Sequence, residues 1–147
     1  MKVIFLMVLI GFSTCTIAEN FPEAQDPWLR AAPPNAKMMA AYVTLHNNSG
    51  QNWTLVGAYA PDFKMAEIHK TIEVDGMLKM REQKQLPLPD GESLTLQPGG
   101  LHVMLMMPKD AIKVGDVVKI CLVYQDSQDQ EDVQQHVQHL MFPVKKQ

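Results

Sequence analysis

From Met39 to Asn47 the chain alternates strictly. Ala41, Val43 and Leu45 fall on one side, and Tyr42, Thr44 and His46 on the other. That two-residue period is the mark of a strand with one buried face. Asn47-Asn48-Ser49-Gly50 then supplies turn chemistry. Further short runs extend from Trp53 to Tyr59, Lys64 to Val74, Met77 to Glu82, Ser93 to Leu96, Leu101 to Met107 and Val117 to Tyr124. A last strand is predicted from Val137 to Val144, with Pro143 suggesting an edge position. Pro87, Pro89, Asp90-Gly91, Pro98-Gly99-Gly100 and Gly115-Asp116 punctuate the remainder, and no stretch sustains a helical period. The pattern predicts an all-β domain, a sandwich or small barrel. The polar run from Asp126 to Gln135 reads as a solvated loop or long hairpin tip, and Glu19 to Asp26 as a loose N-terminal arm.

The first residues follow a different pattern. Lys2 precedes an apolar run from Val3 to Phe12, and Thr16-Ile17-Ala18 offers a small-x-small cleavage site. The expected division is a secretory signal peptide over 1–18 and a single β-domain over 19–147, with no stable membrane insertion after cleavage. The run is too short for a standard membrane span. An uncleaved anchor helix and a lipoprotein acylated at Cys15 are the competing readings; Phe12-Ser13-Thr14 is a poor lipobox. The formal charge of −3 becomes one unit more negative when Lys2 is removed, which argues against a nucleic-acid surface. Cleavage leaves Cys121 without a disulfide partner, in an apolar run that suits a buried, inert thiol better than a reactive one. Without a Cys-x-x-Cys pair, thioredoxin-like chemistry has no support. Asn47-Asn48-Ser49 and Asn52-Trp53-Thr54 fit the glycosylation sequon, which matters only in a eukaryotic secretory host.

The chemistry concentrates in His69, Met80, His102 and Met104. Imidazole suits several metals, whereas thioether sulfur selects chiefly for Cu(I). Asp75-Gly76 is a favoured pair for a two-residue type I′ hairpin. Such a turn pairs Val74 with Met77, Glu73 with Leu78, Ile72 with Lys79 and Thr71 with Met80. His69 and Met80 then become diagonal neighbours on one face, about 7–8 Å apart at the backbone. His102 and Met104 share a face by strand period, with Val103 and Leu105 turned to the core. How the two pairs come together is not encoded in this spacing. The alternative is that the methionines fill a core and the histidines are exposed; the chain holds 11 methionines, so one near any chosen position is weak evidence. Met65, Met77, Met106 and Met107 read as packing residues or auxiliary sulfur ligands. Glu67 and Glu82 either orient the free ring nitrogen of His69 or form surface ion pairs.

The sequence also resembles the periplasmic copper(I) chaperone family PCuAC. The resemblance runs through Trp28-Leu29-Arg30-Ala31-Ala32-Pro33-Pro34, Ala40 to Asn47, Ala66-Glu67-Ile68-His69, Met77 to Arg81, and Leu96 to Leu105. It includes the family motif His-x10-Met-x21-His-x-Met at every position. It implies a cupredoxin-like Greek-key β-barrel, Cu(I) held by His69, Met80, His102 and Met104, and delivery to a copper acceptor such as the CuA domain of cytochrome c oxidase subunit II. Some relatives end in a long His- and Met-rich tail; here His136 and His139 sit in a terminal strand, three apart and so on opposite faces. His46, on the face of Thr44, is expected to be exposed.

Thioether and imidazole ligands form no disulfides, which suits an oxidising compartment, and cargo release predicts a ligand set at an exposed rim. The chain is expected not to be an enzyme, since no nucleophile–base pair occupies a recognisable motif. A blue-copper carrier would need a Cys thiolate beside two histidines. The rival functions are a periplasmic copper buffer or tolerance protein and a secreted, metal-free β-sandwich interaction module.

Overall fold

The computed structural model describes residues 20–126 and 134–146. The strands are β1 (Glu23–Arg30), β2 (Met38–His46), β3 (Trp53–Tyr59), β4 (Phe63–Val74), β5 (Met77–Glu82), β6 (Leu86–Leu88), β7 (Ser93–Leu96), β8 (Leu101–Pro108), β9 (Val117–Asp126) and β10 (Gln135–Lys145). They form one open sheet in the order β5-β4-β8-β7-β2-β1-β10-β9-β3-β6, and β8 also pairs directly with β2. All pairings are antiparallel except β1 with β10 and β7 with β8.

The sheet divides at a short parallel joint. β1 and β10 meet over Leu29–Val144 and Arg30–Lys145 alone. On one side lie β5, β4, β8, β7, β2 and β1; on the other lie β10, β9, β3 and β6. Their inner faces share one core: Ala41, Val43, Leu45, Ile68, Val103 and Leu105 from the first half, and Trp53, Leu55, Ile120, Leu122, Tyr124 and Phe142 from the second. Each large apolar side chain buried there contributes about 1.5–3 kcal/mol. The alternation fixes what remains outside. With Val103 and Leu105 committed to the core, His102 and Met104 must occupy the outer face of β8.

Four expectations change. Glu23–Arg30 is a strand, which takes in the latter half of the loose arm expected over Glu19 to Asp26. Its alternation is interrupted by a bulge between Gln25 and Trp28, where Asp26 takes a positive φ of 50°, so no two-residue period is visible in the sequence. β6 is three residues long and contains Pro87, below the length at which a pattern can be read. Pro143 does not mark an edge: β10 lies between β9 and β1, and proline is tolerated because the β1 ladder begins only at Val144. His46 is half-buried, its ring nitrogens 2.6 Å from Ser93 Oγ and 2.8 Å from Gln25 Oε1.

Asn47 is fully buried and donates from Nδ2 to Gln51 O and Leu88 O, so its amide is committed to the fold rather than open to modification. Cys121 is buried, burial pushes its thiol pKa up, and Sγ lies 3.0 Å from His139 Nδ1. The signal peptide expected over 1–18, Cys15 and residues 127–133 of the expected solvated segment lie outside the described residues; Gln125 and Gln135 pair where β9 and β10 meet that segment.

Candidate metal centre

The β4–β5 hairpin has the pairing predicted for it. Thr71 opposes Met80 and Val74 opposes Met77. Asp75 and Gly76 have φ values of 53° and 74°, the two positive angles a type I′ turn requires. β4 also supplies the step missing from the sequence. It pairs with β8 on its other side, and His69 stands directly opposite His102. The two ligand pairs therefore need no intervening strand. His69 belongs to both, with Met80 diagonal to it on β5 and His102 across from it on β8.

The imidazoles are arranged for ligation. Their ring centroids are 6.0 Å apart at 63°. Two imidazoles bound to one ion through metal–nitrogen bonds of about 2.0–2.1 Å place their centroids roughly 6 Å apart or less. His69 Nε2 lies 2.8 Å from Glu67 Oε2. His102 Nδ1 lies 3.2 Å from Gly100 O. Both partners are acceptors, so each of those nitrogens carries the proton and donates. That leaves His69 Nδ1 and His102 Nε2 with bare lone pairs, and both are buried without a hydrogen-bond partner. A neutral imidazole oriented through one nitrogen presents the other to a metal. Burial, the leading cause, and the neighbouring His69 lower the His102 pKa against the opposing effect of Gly100 O. His102 thus keeps its lone pair to lower pH than an ordinary histidine.

Of the two carboxylates considered, Glu67 reaches His69. Glu82 opposes His69 on β5 but is exposed. The four sequence-predicted residues differ sharply in exposure. His102 and Met104 are buried, His69 is mostly buried, and Met80 is 55% exposed. The expected exposed rim is therefore confined to the β5 side, because β4, β8 and β2 form a continuous floor beneath the other three. Met80, His102 and Met104 line one groove of about 310 Å³, together with Thr71, Ala40 and Arg30. Among the described residues, no three His, Cys, Asp or Glu side chains form a group that could hold an ion. Any ion held here would need the thioethers, and this soft donor set disfavours Mg²⁺ and Ca²⁺.

Sequence reasoning missed the wall of the groove. The Arg30 guanidinium lies 5.4 Å from the Tyr42 ring centroid and 6.0 Å from that of Trp28, and the two rings pack at 4.7 Å. All three sit on the outer face of β1 and β2. Trp28-x-Arg30 is itself an alternating pair, but the bulge preceding it obscures that signal.

A sequence profile of the LpqE-like lipoprotein family matches residues 23–137. The chain belongs to the LpqE-like family. Lxx21020 of Leifsonia xyli subsp. xyli, named as a lipoprotein, is 29% identical over 133 residues, covering 81% of this chain and 78% of its own. The solution structure of CuI-DR1885 from Deinococcus radiodurans superposes with a TM-score of 0.62 at 32% identity, covering 90% of this chain and 83% of that one. The apo PCuAC domain from PmoF1 gives a TM-score of 0.62 at 26% identity, covering 84% of this chain and 92% of the domain. This LpqE-like chain thus shares its β fold with PCuAC domains. Among its described residues, no helix is long and apolar enough to cross a membrane.

Proposed function

We propose that this chain is a periplasmic Cu(I)-binding chaperone that carries the ion between His69 Nδ1, His102 Nε2, Met80 and Met104 and passes it to an acceptor, the CuA centre of cytochrome c oxidase. The observation that carries the reading is the pair of buried imidazole nitrogens with no partner, on the facing residues His69 and His102, with both thioethers in the groove that His102 lines. A buried polar atom left unsatisfied costs about 1–3 kcal/mol, and an ion removes that cost at both nitrogens. CuI-DR1885, at 32% identity, supports Cu(I) as the cargo. The lipoprotein family and relative support an extracytoplasmic location. The shared fold with PCuAC domains supports a cupredoxin-like, Greek-key arrangement of the two sheet halves.

The exposure gradient favours a carrier over a store. Three donors are sheltered and rigid, while Met80 stands at the open side, where an incoming ligand can displace it first. A copper buffer needs no such accessible donor. The test is anaerobic incubation of the Cu(I)-loaded protein with an isolated, reduced apo CuA domain, followed by separation and metal analysis. Transfer to that domain, with retention in the presence of an unrelated β-domain, is expected. Retention in both cases would favour the buffer, and failure to take up Cu(I) at all would leave the metal-free interaction module.

A further inference from the structure

The outer face that carries the four-residue site continues past it. Register places Glu67, Met104 and Ala40 side by side across β4, β8 and β2. Two residues further along the same strands, Met65 opposes Met106, and Met106 opposes Met38. The period of two keeps this second row on the face of Met104. Three thioether side chains thus stand abreast on three adjacent strands, about 7 Å from the Met104 row at about 3.4 Å per residue.

Neither packing nor strand propensity accounts for this row. Met38 is 60% exposed, Met65 is 45% exposed and Met106 is half-buried, so none fills the core. Solvent-facing strand positions favour β-branched or aromatic side chains, not methionine. Met104 and Met38 also line a common apolar groove of about 300 Å³ with Met80, so the row connects with the first site along the surface.

We propose that Met38, Met65 and Met106 form a second, all-thioether Cu(I) site beside the first. Strands are about 4.7–4.9 Å apart, so Met38 and Met65 flank Met106 at close range. Methionine has three rotatable side-chain bonds, enough for the outer two to lean over the central one. Three neutral soft donors favour Cu(I) over Zn(II) or Mg(II). Exposure makes this site weaker and faster to exchange than the four-residue one, suited to receiving the ion before it reaches His69 and His102. The inference rests on the copper reading, because it places a second ion of the same kind on the same face.

The experiment is anaerobic titration of the full chain, labelled with ¹³C at the methionine methyl groups, with Cu(I) up to two equivalents. The Met80 and Met104 methyl signals are expected to shift over the first equivalent, and those of Met38, Met65 and Met106 over the second. The triple variant Met38→Leu, Met65→Leu, Met106→Leu should lose the second equivalent and keep the first. The double variant His69→Ala, His102→Ala should still show the shift of the three row methyls. Row signals that stay in place in the wild type, or a triple variant with unchanged stoichiometry, overturn the second site. Failure of the four-residue reading looks different: Met80 and Met104 would then stay in place.

Discussion

Replacing Glu67 with glutamine tests how the site is held together. The carboxylate accepts from His69 Nε2 at 2.8 Å, with side-chain exposures of 16% for His69 and 31% for Glu67. Glutamine keeps the length and the acceptor oxygen but removes the charge. A hydrogen bond to a charged group is worth about 1.5–3 kcal/mol and a neutral one about 0.5–1.5. The difference is about 1 kcal/mol, and partial exposure places the effect toward the lower end. Copper affinity should therefore fall about fivefold, below the roughly 10–100-fold typical of residues that orient metal ligands. Glu67→Leu, which leaves Nε2–H without its acceptor, should fall by at least about tenfold. Glu82→Gln is the control, because Glu82 faces His69 in register but is exposed. Competition for Cu(I) against a chromophoric chelator under anaerobic conditions reads all three. Unchanged affinity in Glu67→Gln, or an equal loss in Glu82→Gln, would refute the view that Glu67 fixes the His69 tautomer.

Met80→Leu should weaken Cu(I) binding by about 100-fold or more, since losing a ligand exceeds losing its support, yet change stability by at most about 0.5 kcal/mol because Met80 is exposed; chelator competition and thermal melts check both. Gly76→Val should lower the melting temperature, because a left-handed conformation at the observed φ of 74° costs a non-glycine residue about 1–2 kcal/mol, and Gly76→Asn should recover much of the loss. For the apo protein, His102 has a folded-state pKa below its unfolded value. The unfolded chain therefore binds the proton first as pH falls, and the stability present above about pH 6.5 is lost as pH drops toward the folded pKa. Urea midpoints measured from neutral to mildly acidic pH should fall in the wild type, and less steeply in His102→Gln.

The strands that carry the site were legible because their signals are local. Asp75-Gly76 specifies its own turn, so the whole Thr71–Met80 register follows from one dipeptide. Alternation around Val103 assigns His102 and Met104 to one face without knowledge of any neighbour. The adjacency of β4 and β8 was not legible, because no local pattern records which strands of a sheet pair across a long separation. The bulge at Gln25–Trp28 hid β1, and with it Arg30, which lines the groove beside Tyr42. Exposure was misjudged for a related reason: the burial of His102 and Met104 depends on β2 and β4 lying to either side.

In the proposed centre, two imidazoles and two thioethers hold one Cu(I). X-ray absorption spectroscopy at the copper edge, on protein loaded anaerobically with half an equivalent of Cu(I), tests it most directly, since at that loading the tighter site fills first. Two nitrogen and two sulfur scatterers, with the nitrogen contribution lost in His69→Ala, His102→Ala, are the predicted result. A shell of sulfur alone, or of nitrogen and oxygen without sulfur, would contradict it.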